Sequence, residues 1–488
     1  MKFEFRQMLE WIRAAEAAAS AHAAPGVANA PAGALELNGV VTDSRAVKPG
    51  NVFVALRGER FDAHDFLDAV AAQGAAAVVV ERAPPGFSLP AIVVPDTRAA
   101  LGQIAHGWRS LYQVPVIGVT GSNGKTTVKE MIACILAAAF GEDGYLGTRG
   151  NFNNEIGVPL TLFRMAPAHR AAVIEMGMNH PGEIAVLARI AQPTIGLVNN
   201  AQREHQEFMA SVEAVARENG AVIRHLPADG VAVFPAGDPF TALWREEAGA
   251  RRVLSFGLAA EADVGATYQS GAFGSTLEVT VKGGASSVLP AQFKVELAAV
   301  GEHNVRNALA AAACALGAGI AVEAVVRGLE NFSPVNGRLQ RKEANSGALV
   351  IDDTYNANPD SVRAAIDVLA AIGGPRVLVL GDMGEVGDQG PQFHREIGAY
   401  ARSRGIPRFY ATGELMRHAV QAYQETQGEG AAQAAHFDDI AALCAAVEQA
   451  APQGATVLAK GSRFMKMERV VQHLVNVESD TQHQQETH

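Results

Sequence analysis

Apolar and polar positions along the chain fall into blocks that predict an α/β fold in three parts. The first part, residues 1–96, carries short apolar runs at 52–56, 76–80 and 91–94, each bounded by polar turn residues. Short apolar runs between turns are typical of strands. The sequence therefore predicts a small mixed α/β domain at this end of the chain.

The second part, residues 97–334, opens with a clear strand, glycine turn and helix. The apolar run 114–117 precedes a glycine-rich stretch, which is followed by apolar positions with helical spacing. These positions are Val128, Met131, Ile132, Ile135 and Leu136. Spacing of i, i+3, i+4, i+7 and i+8 places them on one face of a helix. The pattern indicates a βαβ-type core.

Further runs extend this central part. Residues 172–175 and 194–199 each contain an apolar run, which is typical of buried strands in a parallel sheet. The Gly- and Thr-rich stretch near 253–299 predicts an antiparallel insertion. We therefore expect a central domain built on a parallel sheet.

The third part, residues 335–488, repeats the alternation of strand and helix. The predicted strands lie in 348–353, 375–383, 407–412 and 455–463, and the predicted helices are 361–372, 391–404 and 438–450. Strands that alternate with helices of this length predict a Rossmann-like parallel sheet with helices on both faces. The polar tail from about residue 478 is expected to be disordered.

Composition narrows the class of protein. Hydrophobic residues make up 48% and charged residues 19%, which is ordinary for a folded α/β protein. The net charge of -11 and the absence of a basic stripe argue against nucleic-acid binding. No signal peptide or membrane-spanning run is found, and the three cysteines are too scattered for a metal or disulfide framework. We expect a cytoplasmic monomer.

The stretch GVTGSNGKTT, residues 118–127, has the properties of a phosphate-binding loop. Glycines let backbone N–H groups point at an anion, and the helix that follows offers its positive end. Lys125 supplies a charge for the outer phosphates and Thr126 a hydroxyl for Mg²⁺. Val119 stands where the common GxxxxGK[ST] motif has its first glycine. The predicted ATP-binding residues of the loop are Gly121, Ser122, Asn123, Gly124, Lys125, Thr126 and Thr127.

A second cation site is predicted beside the loop. Glu175 ends one apolar run and His205 follows the next, so both are expected at the carboxyl edge of the parallel sheet. There they could hold a second Mg²⁺, which would help a substrate carboxylate approach the ATP phosphates against charge repulsion. A GTPase is disfavoured because the chain has no N-K-x-D tetrad. A kinase or a nucleotide-driven switch protein stays an alternative.

Seven motifs together resemble those of the Mur ligase family, over about residues 42–470. In chain order they are GVTGSNGKTT, GNFNNEIGVP, VIEMGMNHPGEI, GEHNVRNALAA, DDTYNANPDSV, LGDMGEVG and KGSRFMKME. The resemblance implies an ATP-dependent amide ligase with Mg²⁺ as cofactor. The segment DTYNANP is similar to the family branch that joins D-Ala-D-Ala to UDP-N-acetylmuramoyl-tripeptide through an acyl phosphate. The segment TDSRAVKPGNVFVALRGERFDAHDF resembles the uridine-binding domain of that branch and of a sibling branch. A ligase for a single amino acid or a folylpolyglutamate synthase is the alternative within the superfamily.

The resemblance also implies roles for individual residues. Lys125, Glu175 and His205 would be catalytic, with Thr126, Glu175 and His205 as metal ligands. Asn304 would read adenine, and Arg338 and Asp353 would reach phosphate and ribose. The first domain would bind uridine. The implied substrate-binding residues are Ser44, Arg45, Thr148, Asn151, Asn153, Asn154, Asn356 and Asn358. Asn153, Asn154, Asn356 and Asn358 could instead be turn or cap residues. At Asn358, which directly precedes a predicted helix, capping and function are equal alternatives.

Two positions depart from the family pattern. Many members carry a carbamylated lysine as a metal ligand where this chain has Asn219, in the segment ARENG. Three substitutes are open: the Asn219 amide, the Glu218 carboxylate or water. Ala63 replaces the usual glycine of F-D-G-H, which is expected only to restrict the local backbone.

Overall fold

The described residues of the chain form three main β-sheets and one two-stranded ribbon in a computed structural model. The structure describes residues 1–19, 25–58, 60–204, 207–271, 274–282, 292–427 and 432–475. The expected disorder of the tail from about residue 478, the site at His205 and part of the 253–299 stretch lie outside the described residues.

The first sheet has five strands and contains both strand directions. Its order is β2-β7-β6-β5-β4, with β2 antiparallel to β7 and the other pairs parallel, while β1 and β3 form the ribbon. This confirms the predicted small mixed α/β unit. The elements are β1 (Phe3–Glu4), α1 (Phe5–Ala19), β2 (Gly26–Ala28), β3 (Glu36–Leu37), β4 (Val40–Val41), β5 (Val52–Val54), α2 (Leu67–Ala72), β6 (Ala77–Val80), β7 (Ala91–Val93) and α3 (Thr97–Ser110).

The second sheet has nine strands in the order β16-β15-β14-β13-β12-β11-β8-β10-β9. Its strands are β8 (Val116–Thr120), β9 (Tyr145–Gly147), β10 (Ala171–Glu175), β11 (Ile195–Val198), β12 (Val231–Pro235), β13 (Arg252–Gly257), β14 (Val264–Ser270), β15 (Ser275–Val281) and β16 (Gln292–Leu297). Its helices are α4 (Lys125–Phe140), α5 (Gly157–Leu162), α6 (Glu183–Ala191), α7 (Val212–Asn219), α8 (Ala221–Arg224), α9 (Thr241–Ala248), α10 (Glu302–Gly317) and α11 (Val322–Glu330).

The stretch near 253–299, predicted as an antiparallel insertion, instead continues the central sheet. β13 pairs in parallel with β12, and β14 with β13, so only β15 and β16 add antiparallel pairs. Alternating buried and exposed residues in β15 show that one face of this edge is covered and the other faces solvent. The prediction rested on the Gly- and Thr-rich composition of the stretch, which does not specify the direction of its first strands.

The third sheet has six strands in the order β17-β18-β22-β19-β20-β21, of which only β17 is antiparallel to its neighbour. One hydrophobic cluster lies on each face of the sheet, as the predicted helices on both faces require. The elements are β17 (Gln340–Glu343), β18 (Leu349–Asp353), α12 (Pro359–Ala370), β19 (Arg376–Gly381), α13 (Gly390–Ser403), β20 (Arg408–Thr412), α14 (Met416–Glu425), β21 (Gln433–Phe437), α15 (Ile440–Ala450), β22 (Thr456–Lys460) and α16 (Glu468–Leu474).

Helix α3 joins the first unit to the central sheet. Leu101 and Ile104 of α3 belong to the same buried cluster as Met8 and Ile12 of α1 and Val116 of β8. The opposite face of the central sheet is covered by α4, α10 and α11, and the five apolar positions predicted for α4 are all buried there. No helix among the described residues is both long and apolar enough to cross a membrane.

Candidate active site

A cavity of about 1420 Å³ lies where the central and third sheets face each other. Its lining includes the segments that follow β8, β10 and β11 and those that follow β18, β19 and β22. In parallel sheets, ligands bind outside the carboxyl ends of the strands. Here two sheets present such ends to one space, so a ligand in it would contact both units.

The glycine loop after β8 has the backbone of an anion site. Gly121 and Gly124 have positive φ angles of 134° and 82°, and α4 starts at Lys125. A side chain at Gly124 would force its neighbours to shift, because a Cβ there would lie 2.5 Å from the Asn307 Oδ1. Residues 122–127 all line the cavity. The start of α4, where the first N–H groups of a helix have no partner within it, thus lies at the space where a phosphate would bind.

Lys125 folds back onto its own loop. Its Nζ donates to the Gly121 carbonyl at 2.5 Å and to the Ser122 carbonyl at 3.2 Å. The Glu204 Oε2 lies 3.5 Å from the same nitrogen, and the Glu204 side chain is 7% exposed. A cation surrounded by oxygens in this way can exchange these partners for phosphate oxygens.

Glu175, at the end of β10, lies against the loop and is 2% exposed. Its Oε1 accepts from the Thr126 hydroxyl at 3.2 Å and from the Asn153 amide at 2.9 Å. Its Oε2 is buried without a hydrogen-bond partner among the described residues. The Thr148 hydroxyl accepts the backbone N–H of Glu175 at 3.0 Å from behind the cavity wall. A buried carboxylate oxygen with no partner is costly unless a cation or donor binds it.

This pair of oxygens fits a hard cation. Mg²⁺ is held in proteins by carboxylate and hydroxyl oxygens together with phosphate and water. Within the described ranges no group of three His, Cys, Asp or Glu side chains comes together. Thr126 and Glu175 would therefore hold Mg²⁺ with nucleotide oxygens, and the metal would neutralise phosphate charge.

A chain of amides supports the loop from the other side. Asn199, after β11, donates to the Asn123 carbonyl at 2.8 Å and to the Asn307 Oδ1 at 3.0 Å. Asn307 in turn donates to the Asn304 Oδ1 at 3.2 Å. Sequence reasoning identified Asn304 but missed Asn199 and Asn307. Asn307 could have been identified from its position three residues after Asn304, which places both on the same face of α10.

The third sheet contributes charged groups to the same cavity. Arg338 donates from Nη2 to the Thr126 hydroxyl at 2.9 Å, and its guanidinium lies 4.3 Å over the Tyr355 ring. Asp353, 9% exposed, pairs with Lys460 at 2.7 Å. Lys460 was missed by sequence reasoning, although β18 and β22 are neighbours and place the two residues side by side. Arg338, Asp353 and Lys460 all line the cavity.

Asn358 is a cap residue, as one of the two interpretations of it predicted, and it also contacts the glycine loop. It forms a capping box with Ser361 at the start of α12, and its amide donates to the Asn123 Oδ1 at 2.9 Å. Asn356 is exposed within the cavity. On the opposite wall lie Asn151, Asn153 and Asn154, of which Asn154 also accepts from the Gly157 N–H at the start of α5 at 2.8 Å.

Other expected site residues lie apart from the cavity. Ser44 and Arg45 form an exposed turn of the first unit, where Arg45 pairs with Asp43 at 2.7 Å. The described lining of the cavity does not include Ser44, Arg45, Gly121 or Thr148. The first unit is thus not brought to the glycine loop through Ser44 and Arg45.

Glu218 and Asn219 are absent from the described lining. Glu218 accepts the N–H groups of Gly182 and Ile184, both at 2.9 Å, at the start of α6. Asn219 is fully buried and accepts from the Thr120 hydroxyl at 2.6 Å. Both side chains hold neighbouring elements of the central unit.

A glycine loop at the edge of a parallel sheet, closed by charged groups from a second α/β unit, defines a nucleotide-binding enzyme. Family models match the chain in three stretches: "Mur ligase family, catalytic domain" at 36–109, "Mur ligase middle domain" at 119–315 and "Mur ligase, glutamate ligase domain" at 337–463. The chain belongs to the Mur ligase family.

Named relatives cover nearly the whole chain. The UDP-N-acetylmuramoyl-tripeptide–D-alanyl-D-alanine ligase of Escherichia coli K12 is 40% identical over 444 residues, which are 90% of this chain and 94% of that protein. The crystal structure of MurF from Acinetobacter baumannii has a TM-score of 0.85 and 34% identity, covering 96% and 98% of the two chains. MurF from Thermotoga maritima in complex with ADP has a TM-score of 0.78 and 27% identity, covering 89% and 96%.

Proposed function

We propose that this chain joins D-alanyl-D-alanine to UDP-N-acetylmuramoyl-tripeptide at the expense of ATP, giving the UDP-linked pentapeptide, ADP and phosphate. The observation that carries the proposal is the contact of Arg338, from the third unit, with Thr126 of the glycine loop at 2.9 Å. A nucleotide in the loop would thus lie between the central and third units. A position between two units leaves room for the two further substrates of the reaction. The substrates follow from the 40% identical relative of that name.

The chemistry follows from the charges around the loop. The carboxylate of the tripeptide attacks the γ-phosphate of ATP, which forms an acyl phosphate and releases ADP. The amine of the dipeptide then attacks the acyl carbon and releases phosphate. Lys125 and Arg338 attract the phosphate oxygens, while Glu175 and Thr126 are the ligands for Mg²⁺. Stabilisation of developing charge, without a covalent enzyme intermediate, is the protein's main contribution.

His205 is proposed as a further ligand of a second Mg²⁺, as the family resemblance implies. Asn304 would contact adenine, and Asp353 the ribose. Residues 1–96, 97–334 and 335–488 are proposed as the uridine-binding, ATP-binding and ligase domains. We expect a monomer that works in the cytoplasm, where ATP is available.

The donor and acceptor are proposed to approach from opposite walls. Asn151, Asn153 and Asn154 lie on the wall that extends to Arg98 at the start of α3, next to the first unit. This wall suits the muramoyl peptide, with Ser44 and Arg45 toward the uridine end and Thr148 behind Glu175. Asn356 and Asn358, on the third unit, suit the incoming dipeptide.

One incubation tests the function. The purified chain is mixed with ATP, Mg²⁺, UDP-N-acetylmuramoyl-tripeptide and one acceptor at a time, and the products are read by mass spectrometry. We expect a mass increase of one dipeptide only with D-Ala-D-Ala. A product with single amino acids, or ADP release that needs neither the tripeptide nor an acceptor, would contradict the proposal. Tripeptides with diaminopimelate or lysine at the third position identify the donor.

A further inference from the structure

Three consecutive residues after β11 each contact a different part of the cavity wall. Gln202 binds the glycine loop, since its N–H donates to the Ser122 Oγ at 2.9 Å and its side chain accepts from the Asn123 amide at 2.5 Å. Glu204 lies beside Lys125. Arg203, between them, points to the third unit. We call residues 202–204 the linking segment.

Arg203 makes a dense set of contacts across the cavity. Its backbone N–H donates to the Asp360 Oδ2 at 2.9 Å, and its Nη2 to the Asp360 Oδ1 at 2.7 Å. Its Nη1 lies 2.9 Å from the Glu396 Oε2, and the guanidinium lies 5.4 Å over the Phe393 ring. The three charged side chains are about one quarter to one third exposed. A forked charge-assisted pair of this kind is directional as well as attractive.

The contacts of Arg203 converge on the start of α12. Asp360 is the second residue of that helix, and its N-cap residue Asn358 binds Asn123 of the glycine loop. The end of α12 that bears Asn358, with Asn356 just before it, is therefore fixed to the central unit at two points. Arg203 also reaches α13 through Glu396, so one side chain fixes two helices of the third unit.

We propose that Arg203 is a positioning residue for the acceptor dipeptide. It holds the start of α12 against the glycine loop, so that the acceptor side of the cavity is formed only when the third unit is closed. The inference rests on the proposed function, which assigns that wall to the dipeptide. Because the linking segment also contacts Ser122, Asn123 and Lys125, nucleotide binding and acceptor binding are coupled through it.

The nucleotide loop itself does not depend on Arg203. Its backbone, Lys125 and Glu175 belong to the central unit, and the contact of Arg338 with Thr126 does not involve Asp360. Loss of the Arg203 contacts should therefore weaken acceptor binding more than nucleotide binding. A lost charge-assisted pair at this exposure corresponds to about a tenfold change in an equilibrium constant.

The test compares Arg203→Ala, Arg203→Lys, Asp360→Asn and the double variant Arg203→Ala/Asp360→Asn. The matched control is Arg395→Ala, because Arg395 lies on α13 but pairs with Glu425 at 2.7 Å away from the cavity lining. For each variant we measure KM for the dipeptide, tripeptide and ATP, kcat, the melting temperature and ADP affinity.

We expect Arg203→Ala to raise KM for the dipeptide about tenfold and to leave kcat within about twofold. ADP affinity should change by less than about threefold. Lysine keeps the charge without the fork and should give an intermediate KM. The double variant should be no worse than the more affected single one, since both changes remove one interaction. The control should match the parent protein.

The outcomes separate the two levels of the proposal. If the parent protein makes no pentapeptide, the proposed function fails. If the parent ligates but Arg203→Ala keeps its KM for the dipeptide, the positioning role is wrong. It is also wrong if all three KM values rise together while the melting temperature falls, because that pattern reports structural support only.

Discussion

Replacement of Gly124 by alanine should damage the nucleotide loop through a steric clash. A matched replacement at Gly182 separates the effect of this clash from the effect of backbone strain. Gly124 is the N-cap residue of α4, with φ 82° and ψ -3°. Gly182 is the N-cap residue of α6, with φ 95° and ψ -14°, and it too makes no side-chain cap. A Cβ on Gly182 would have no atom within 4 Å, whereas one on Gly124 would meet the Asn307 Oδ1 at 2.5 Å and the Asn199 Nδ2 at 2.7 Å.

The two substitutions share one cost and differ in another. A left-handed backbone costs a non-glycine residue roughly 1–2 kcal/mol, and both variants carry that cost. Gly124→Ala must also separate Asn199 from Asn307, which are hydrogen-bonded at 3.0 Å and buried. Leaving buried amides without partners adds about 1–3 kcal/mol. Gly124→Ala should therefore be less stable than Gly182→Ala by about that amount.

The assay is urea denaturation of both variants, with and without Mg-ADP. Because a chain with three sheets need not unfold in one step, the difference between the midpoints of the two variants is the useful quantity. Gly182→Ala should keep the stabilisation by Mg-ADP, and Gly124→Ala should lose it, since its loop N–H groups are displaced. Equal midpoints together with equal stabilisation by Mg-ADP would refute the steric reasoning.

Three further predictions concern single side chains. Lys125→Ala should abolish turnover and leave the circular dichroism spectrum unchanged; ADP release that still required both substrates would contradict the role of Lys125. Glu175→Gln should weaken binding of Mg-ADP much more than binding of ADP alone, measured by calorimetry, because the carboxylate charge is lost; equal losses would exclude Glu175 as a metal ligand. Burial lowers the pKa of His394 from its ordinary 6.5. As pH falls, the imidazole is therefore protonated at higher pH in the unfolded chain than in the folded one, so the parent protein should lose stability below about pH 6.5. His394→Leu should show a shallower decline in melting temperature.

The neutral form of His394 follows from its contacts. Its Nε2 accepts the Met383 N–H at 3.1 Å, and its Nδ1 donates to the Gly390 carbonyl at 2.6 Å. Protonation of Nε2 would turn this acceptor into a donor that faces the Met383 N–H, so the hydrogen bond between them would be lost. If the melting temperature of His394→Leu falls with pH as steeply as that of the parent protein, other groups cause the loss of stability at acid pH.

The fold was largely predictable because its strands and helices have strong local patterns. The predicted strands at 172–175 and 194–199 correspond to β10 and β11, and the helix predicted at 361–372 to α12. α14 and β21 were not predicted. β21 is only partly buried along its length, so it lacks the continuous apolar run that identifies the central strands.

The candidate site was predictable only where its residues are close in sequence. The glycine loop, Lys125 and Thr126 form one short motif, which the pattern alone identifies as a phosphate site. Arg203 and Lys460 were missed because their partners Asp360 and Asp353 lie more than 100 residues away, in a different unit or on a neighbouring strand. Contacts at such separations depend on how the sheets face each other, and a single sequence carries no local signal for that.

The contacts of Glu218 and Asn219 bear on which group could replace the metal-binding lysine that this chain lacks. The Glu218 carboxylate binds two N–H groups at the start of α6, where a negative charge is favourable, and moving it would leave those groups unpaired. The Asn219 Oδ1 accepts from Thr120, its buried Nδ2 is a donor that does not bind a cation, and Asn219 is absent from the described lining of the cavity. Both side chains thus stabilise the ends of β8 and α6. We therefore propose water as the substitute for the lysine.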